Sequence, residues 1–148
     1  MARFRYSLQN VLNIKLKMET QAKQEFASAR VALSEEEEKL ERFLADKVRL
    51  EEEARRLLMG SLDRHDIEDN TLSRRFADQR IADQRISVKR ATAVLEAARL
   101  RMTEAMQERK TYERLRERAF EEFMREENRA EGKVIDELTS YTYGQKSK

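Results

Sequence analysis

The chain has 148 residues, of which 41% are charged, and it contains no Pro, Cys or Trp and only three Gly. Sheets need β-branched and aromatic runs punctuated by Gly and Pro turns, whereas this composition is dominated by strong helix formers. The lack of Cys excludes disulfides, thiolate metal sites and cysteine nucleophiles, and a formal net charge of +2 excludes a strong overall attraction to nucleic acid or membranes. We therefore predict an all-α protein.

The first predicted helix spans about residues 3–58. Apolar or small residues recur there mostly at alternating four- and three-residue steps, the spacing of a coiled-coil seam. The seam consists of Phe4, Leu8, Val11, Met18, Ala22, Phe26, Ala29, Leu33, Leu40, Phe43, Leu50, Ala54 and Leu57. Two successive four-residue steps, Met18 to Ala22 to Phe26, predict a stutter that relaxes the supercoil locally.

A turn is predicted over residues 59–71, which hold Gly60 and a cluster of Ser, Asp, Asn and Thr, the residues typical of caps and turns. The acidic and imidazole side chains in this segment are Asp63, His65, Asp66, Glu68 and Asp69. Their spacing matches neither an EF-hand loop nor a His-x3-His site, so we interpret them as helix-capping residues and predict no metal site.

The second predicted helix spans about residues 72–140, and residues 141–148 are predicted to form a frayed tail. Its seam consists of Ile81, Val88, Ala91, Leu95, Ala98, Met102, Ala105, Tyr112, Ala119, Phe123 and Ala130, with polar interruptions at Arg109, Arg116 and Glu126. Two seams joined by one turn predict a single domain, 1–148, that is a long two-helix antiparallel coiled-coil hairpin. Intramolecular pairing at high effective concentration favours a monomer when no partner is bound.

Charge also predicts this alignment. Residues 35–53 are mainly acidic, and residues 74–95, which a bend near position 65 would bring alongside, are mainly basic. Blocks of opposite sign favour one register modestly, although long helices are often charged on solvated faces without any match.

Apolar residues off the seam are the strongest indication of a binding surface. Ile86 and Leu100 fall at outward-facing positions when Ile81 is a core position, and Phe76 also lies off the seam. An outward position that meets only water should be polar. Ile86 and Leu100 are therefore candidate contacts for another protein, whereas Phe76 could equally pack beneath the turn.

No arrangement of residues indicates catalysis. The single His65 has no Cys partner, no glycine-rich phosphate loop is present, and carboxylates are dispersed along solvated faces. We expect no enzymatic activity and no cofactor. No apolar run could span a bilayer and no secretory signal is recognised, so we expect a cytoplasmic protein.

The chain resembles the FliJ family, a soluble component of the bacterial flagellar export apparatus. The resemblance rests on the opening segment Phe4–Leu12, the turn near Gly60, the Arg-Phe-Ala-Asp-Gln-Arg-Ile stretch and the block Glu108–Arg118, and it covers essentially the whole chain. It implies an antiparallel coiled coil similar to the central stalk of rotary ATPases. It also implies a role in flagellar protein export, motility and chemotaxis, at the cytoplasmic face of the inner membrane.

The resemblance implies three partners: the ring of the flagellar export ATPase FliI, the export gate protein FlhA and the chaperones of export substrates. The ATPase contact would use both ends of the chain, at Leu8, Gln9, Leu12, Arg109, Lys110, Arg114 and Arg118. The gate contact would use Phe76 and Ile81, to which the outward positions add Ile86 and Leu100. A generic structural or dimerising coiled coil would show the same seams and remains the main alternative. A binder of nucleic acid or of an acidic membrane would need a one-sided basic stripe and ranks third.

Overall fold

The computed structural model describes residues 3–146 and contains two long helices, α1 (Gln9–Leu57) and α2 (Arg64–Lys146). No strand occurs within these residues. The contacts group the chain into two units, each containing parts of both helices. We call Met1–Thr20 with Thr103–Lys148 the terminal unit, and Gln21–Met102 the central unit.

The two helices run antiparallel in each unit. In the terminal unit Lys15 pairs with Glu108 at 2.9 Å, whereas Gln9, earlier in α1, accepts a hydrogen bond from Arg116, later in α2. In the central unit the Asn70 amide donates to the Leu50 carbonyl at 3.0 Å, and the Gln84 amide donates to the Glu36 carbonyl at 2.9 Å. The predicted all-α class and the antiparallel pairing of two helices are confirmed.

The first helix begins at Gln9, six residues later than predicted. Phe4 and Tyr6 are both half-buried, while Arg3 and Arg5 are exposed. Residues two apart point to nearly opposite sides of a helix but to the same side of an extended segment. Packing both aromatic rings therefore requires residues 3–6 to stay out of the helix.

The turn is shorter than predicted, because residues 64–71 already belong to α2. The Asp63 carboxylate accepts hydrogen bonds from the backbone N–H groups of His65 at 2.9 Å and Asp66 at 3.4 Å, which caps the helix. Within the turn between the helices Gly60 has φ +100°, a left-handed conformation that glycine adopts without steric cost. The capping interpretation is confirmed for Asp63.

The second helix also ends later than predicted, because it continues through the expected tail to Lys146. Helix hydrogen bonds are local, and residues 121–146 contain no Pro to interrupt them. The last two residues of the predicted tail lie outside the described residues.

The predicted stutter near Met18 is wrong. Met18 is 45% exposed, whereas Glu19 is buried with 5% exposure. The inward positions Glu19, Ala22, Phe26 and Ala29 step by three, four and three residues, which needs no stutter. A pattern that counts only apolar residues cannot assign a charged side chain to the seam.

Small side chains and a few polar ones make up the buried contacts. The central unit buries Ala22, Ala29, Ala77, Ile81 and Ala98, together with Asn70 and Gln84. The terminal unit buries Leu12, Ala105 and Glu19. Each buried amide described above has a hydrogen-bond partner on the other helix, so the polar residues fix the alignment without leaving unsatisfied groups.

The acidic block, residues 35–53, faces the basic block, residues 74–95, but the contacts between them are not the predicted pairs of acid on α1 with base on α2. Lys47, from the acidic block, pairs with Asp78 of the basic block at 2.8 Å, the reverse of the predicted charge sense, and this hydrogen bond raises the pKa of Lys47. Arg80 lies over the Phe43 ring, with 4.1 Å between the guanidinium carbon and the ring centroid. A cation over an aromatic face is attractive, so Arg80 contributes packing rather than an acid–base pair.

Candidate functional site

The α1 residues implied for the ATPase contact differ in accessibility. Leu12 is buried in the terminal unit with 4% exposure, so it supports the helix pair. Gln9 is half-buried, because its side-chain oxygen accepts from Arg116 while its amide donates to Asn13 at 3.0 Å. Leu8 is 38% exposed and is the one of the three with substantial free apolar surface.

Arg109 is bound within a charged network of the terminal unit. Its Nε and Nη2 donate to the two carboxylate oxygens of Glu19 at 2.6 and 3.2 Å, and its Nη1 donates to Glu113 at 2.9 Å. The Glu19 and Glu113 hydrogen bonds raise the pKa of the Arg109 guanidinium above its already high value. The Arg109 and Glu19 side chains are only 19% and 6% exposed. This geometry makes Arg109 a structural residue of the helix pair.

Lys15 of α1 forms a separate ion pair with α2 in the terminal unit. Its ammonium group donates to Glu108 at 2.9 Å, and this hydrogen bond raises the pKa of Lys15. It also lies 5.9 Å from the centre of the Tyr112 ring. Lys15 was absent from the predicted seam for the same reason as Glu19, since a charged residue gives no apolar signal.

The remaining basic candidates, Lys110, Arg114 and Arg118, are exposed. Their four-residue spacing places them along one side of α2. They form a basic row that a partner can reach without opening the helix pair. We call these three residues the basic row.

An aromatic cluster fixes the segment that precedes α1. The Phe4 ring lies 5.2 Å from Phe120 in an edge-to-face arrangement and 5.5 Å from Phe123. The Tyr6 hydroxyl donates to the Tyr112 carbonyl at 3.2 Å. Both contacts lie in the terminal unit, and the seam predicted Phe4 and Phe123 as inward residues.

The candidate gate residues of the central unit also include both exposed and buried side chains, as the ATPase candidates do. Phe76, Ile86 and Leu100 are 65%, 49% and 55% exposed, whereas Ile81 is buried with 7% exposure. The seam predicts that Ile81 faces the other helix, whereas the resemblance implies that it contacts the gate protein. Its burial agrees with the seam. Ile86 and Leu100 are two heptads apart, which places both on one outward stripe of α2.

Phe76 borders a surface groove of about 880 Å³ in the central unit. Leu50 and Ala77 contribute apolar walls, and Arg80 reaches across the Phe76 ring at 5.8 Å. Leu72, which the sequence analysis did not select, lies one helical turn before Phe76, lines the same groove and is 61% exposed. Its four-residue spacing from Phe76 was the signal that could have identified it.

Neither unit shows a metal site or a membrane span within residues 3–146. No group of three or more His, Cys, Asp or Glu side chains there could hold a metal ion. Over the same residues, neither helix is long and apolar enough to cross a bilayer.

A family model described as flagellar FliJ protein matches residues 4–148. The chain belongs to the FliJ family. This FliJ family member is therefore a component of flagellar protein export, which is a type III secretion process, and the family is a non-catalytic component of that process. Comparison of the sequence with curated proteins finds no match.

One solved structure has the same fold as this FliJ family member. It is described as a YscO homologue from Chlamydia trachomatis, with a TM-score of 0.77 and 22% sequence identity. The alignment covers 95% of this chain and 96% of that one. At this level of identity the likeness shows the fold alone.

Proposed function

We propose that this FliJ family member binds the flagellar export ATPase FliI through the terminal unit and the gate protein FlhA through the central unit. It promotes assembly and activity of the ATPase ring without hydrolysing ATP, and it escorts the chaperones of export substrates. The observation that carries the proposal is where the accessible candidate residues lie: the basic row lies in the terminal unit, and the off-seam apolar candidates Phe76, Ile86 and Leu100 lie in the central unit.

The ATPase contact in this proposal uses Leu8 and the basic row. Exposed charges steer encounter and are reachable without a structural change, whereas contact through Leu12 or Arg109 would first require the helix pair to open. Leu12 and Arg109 therefore act in the proposal as supports for the contact surface.

The gate contact in this proposal is apolar. Phe76 and Leu72 offer rings and branched carbons beside a groove, and Ile86 and Leu100 extend the apolar surface along the outward stripe. A partner helix or extended segment that covers these side chains would gain their burial, as in helix-in-groove recognition. Ile81 supports the surface from the buried face.

The proposal places the chain at the cytoplasmic face of the inner membrane, at the flagellar base, as a monomer before it binds. Peripheral association there would come from the gate protein. It assigns no residues to the chaperones.

The ATPase arm is tested by the rate of ATP hydrolysis of purified export ATPase with and without the chain. Reversing the basic row with Lys110→Glu, Arg114→Glu and Arg118→Glu should abolish stimulation while helicity is retained, because these side chains are exposed. Lys17→Glu, Arg125→Glu and Arg129→Glu make the matched control, with the same charge change elsewhere in the terminal unit. If both triple variants lose stimulation equally, the loss comes from the change in net charge. If the basic-row variant stimulates ATP hydrolysis as well as wild type does, the basic row does not contact the ATPase.

The gate arm is tested by binding to the gate protein and by motility. Ile86→Asp with Leu100→Asp should lose both, since burying two carboxylates against an apolar partner is unfavourable, while the free energy of unfolding changes by less than about 1 kcal/mol. The control places Asp at Val31 and Val48, which are 59% and 50% exposed on α1 of the same unit. A generic dimerising coiled coil would instead self-associate and bind neither protein.

A further inference from the structure

A small pocket of the terminal unit concentrates positive charge. It has a volume of about 440 Å³ and is lined by Arg3, Phe4, Arg5, Tyr6, Gln9 and Arg116. Three of its six lining residues are arginines, and none is acidic. None of the three arginines forms an ion pair within the described residues, and the hydrogen-bond partner of Arg116 is the neutral Gln9, at 3.0 Å.

The pocket is held in place by the aromatic contacts on its other side. Phe4 packs on Phe120 and Phe123, and Tyr6 bonds to the Tyr112 backbone, so the residues on either side of Phe4 are fixed at their backbones. The Arg116 guanidinium lies 5.6 Å from the Phe4 ring centroid. The helix that starts at Gln9 has no acidic residue in its first turn to offset its positive end. These features gather three like charges without an internal counter-charge.

We infer that the pocket of Arg3, Arg5 and Arg116 binds a carboxylate side chain of a partner protein. Guanidinium groups offer paired donors that match the two oxygens of a carboxylate, and a bound carboxylate relieves the mutual repulsion of the arginines. Because the backbone around Phe4 is already held in place, binding has to order only the arginine side chains.

The surroundings favour a single carboxylate over an extended polyanion. Glu113, Glu117, Glu121 and Glu122 lie on α2 on either side of Arg116, and the terminal unit as a whole has nearly equal numbers of acidic and basic residues. A nucleic acid or an anionic bilayer would bring many negative charges against these glutamates, whereas one side chain meets only the pocket.

The inference rests on the proposed function only for the identity of the partner, the export ATPase. Because Arg3, Arg5 and Arg116 lie outside the basic row, it adds a second contact to the same unit. The pocket can therefore be tested both without the ATPase and with it.

The first experiment titrates the full chain, tagged at its carboxyl end, with an acetylated and amidated pentapeptide of four Gln and one central Glu, which carries a single carboxylate. NMR signals of the arginine Nε–H groups should shift selectively for Arg3, Arg5 and Arg116, and pentaglutamine should leave them unchanged. The variant Arg3→Gln/Arg5→Gln should lose about tenfold or more in affinity for the single-Glu peptide, as expected for the loss of charge-assisted hydrogen bonds. The matched control Lys17→Gln/Arg129→Gln carries the same charge change at exposed positions and should keep wild-type affinity.

Shifts spread evenly over all arginines, or equal losses in both double variants, would overturn the inference. Stronger binding of inorganic phosphate or phosphatidylglycerol vesicles at these arginines would overturn the assignment to a protein carboxylate. Circular dichroism checks that both variants keep their helicity, and Arg116→Gln repeats the test without altering residues 3–6.

The second experiment measures binding of the same variants to the export ATPase. Weaker binding of Arg3→Gln/Arg5→Gln than of its control identifies the ATPase as the partner. If the wild-type chain does not bind the ATPase at all, the proposed function fails, while the titration with the single-Glu peptide still decides whether the pocket binds a carboxylate. If the ATPase binds both double variants equally, the proposed function stands and this partner assignment falls.

Discussion

The terminal and central units both hold two antiparallel helices in register, but they do so through different interactions. The terminal unit uses charged seam residues, above all Arg109 with Glu19 and Glu113, and an aromatic cluster around Phe4. The central unit buries alanines and Ile81 and aligns them with neutral amides that bond to backbone carbonyls. Removing one member of a buried ion pair leaves the other charge without its partner, whereas an apolar contact weakens in proportion to the buried area that is lost. The two units should therefore respond differently to substitution.

The largest effect is expected in the core of the central unit. Ile81→Ala should lower the free energy of unfolding by about 2–4 kcal/mol, because it removes buried carbons and leaves a cavity. The matched variant Ile86→Ala, at a position that is 49% exposed, should cost less than about 1 kcal/mol. Urea unfolding followed by circular dichroism measures both. Equal losses would mean that the buried and outward faces of α2 are wrongly assigned.

The charged network of the terminal unit should show strong coupling between its members. Arg109→Met should lower the melting temperature more than Arg114→Met, because Arg114 is exposed whereas Arg109 bonds to a nearly buried Glu19. Adding Glu19→Gln to Arg109→Met should recover part of the loss, since the buried negative charge is removed with its partner. Purely additive losses in this double-mutant cycle would contradict the network.

The smallest effect is expected for Glu36 of the central unit, whose carboxylate accepts a hydrogen bond from the Gln84 amide. The hydrogen bond from Gln84 lowers the pKa of Glu36 from its usual 4.5. Its contribution to stability is therefore fully present above that value and is lost as the pH falls through the lower folded pKa. The difference in urea midpoint between wild type and Glu36→Gln should shrink between about pH 6 and about pH 3. Glu37→Gln, at an exposed neighbouring position, is the control, and a difference independent of pH would contradict the contact.

Some errors in reading the sequence share one cause. A seam traced through apolar residues selected Met18 and omitted Glu19, although Glu19 is the buried one. Arg109, far along the chain, stabilises the charged residue there by supplying two hydrogen bonds to it. No periodicity in α1 alone can reveal a partner that α2 provides.

The candidate surfaces were predictable to different degrees. Ile86 and Leu100 follow from helical geometry, because a residue opposite a correctly placed seam must face outward, and both are exposed. Leu12 and Ile81 were implied as contacts by family resemblance, yet both are buried. Resemblance proposes segments of the chain for these contacts, whereas burial decides which side chains in them a partner can reach.

The sequence by itself determined the all-α class, the pairing of two helices around one turn, and the outward apolar stripe, because these depend on local propensity and on residue spacing along one helix. Only the tertiary structure decided where α1 begins, that Glu19 belongs to the helix contact and bonds to Arg109, and that Arg3, Arg5 and Arg116 share a pocket. Each of these involves residues about a hundred positions apart in sequence. Such contacts are set by the antiparallel register of the two helices, and a local pattern in either helix carries no record of them.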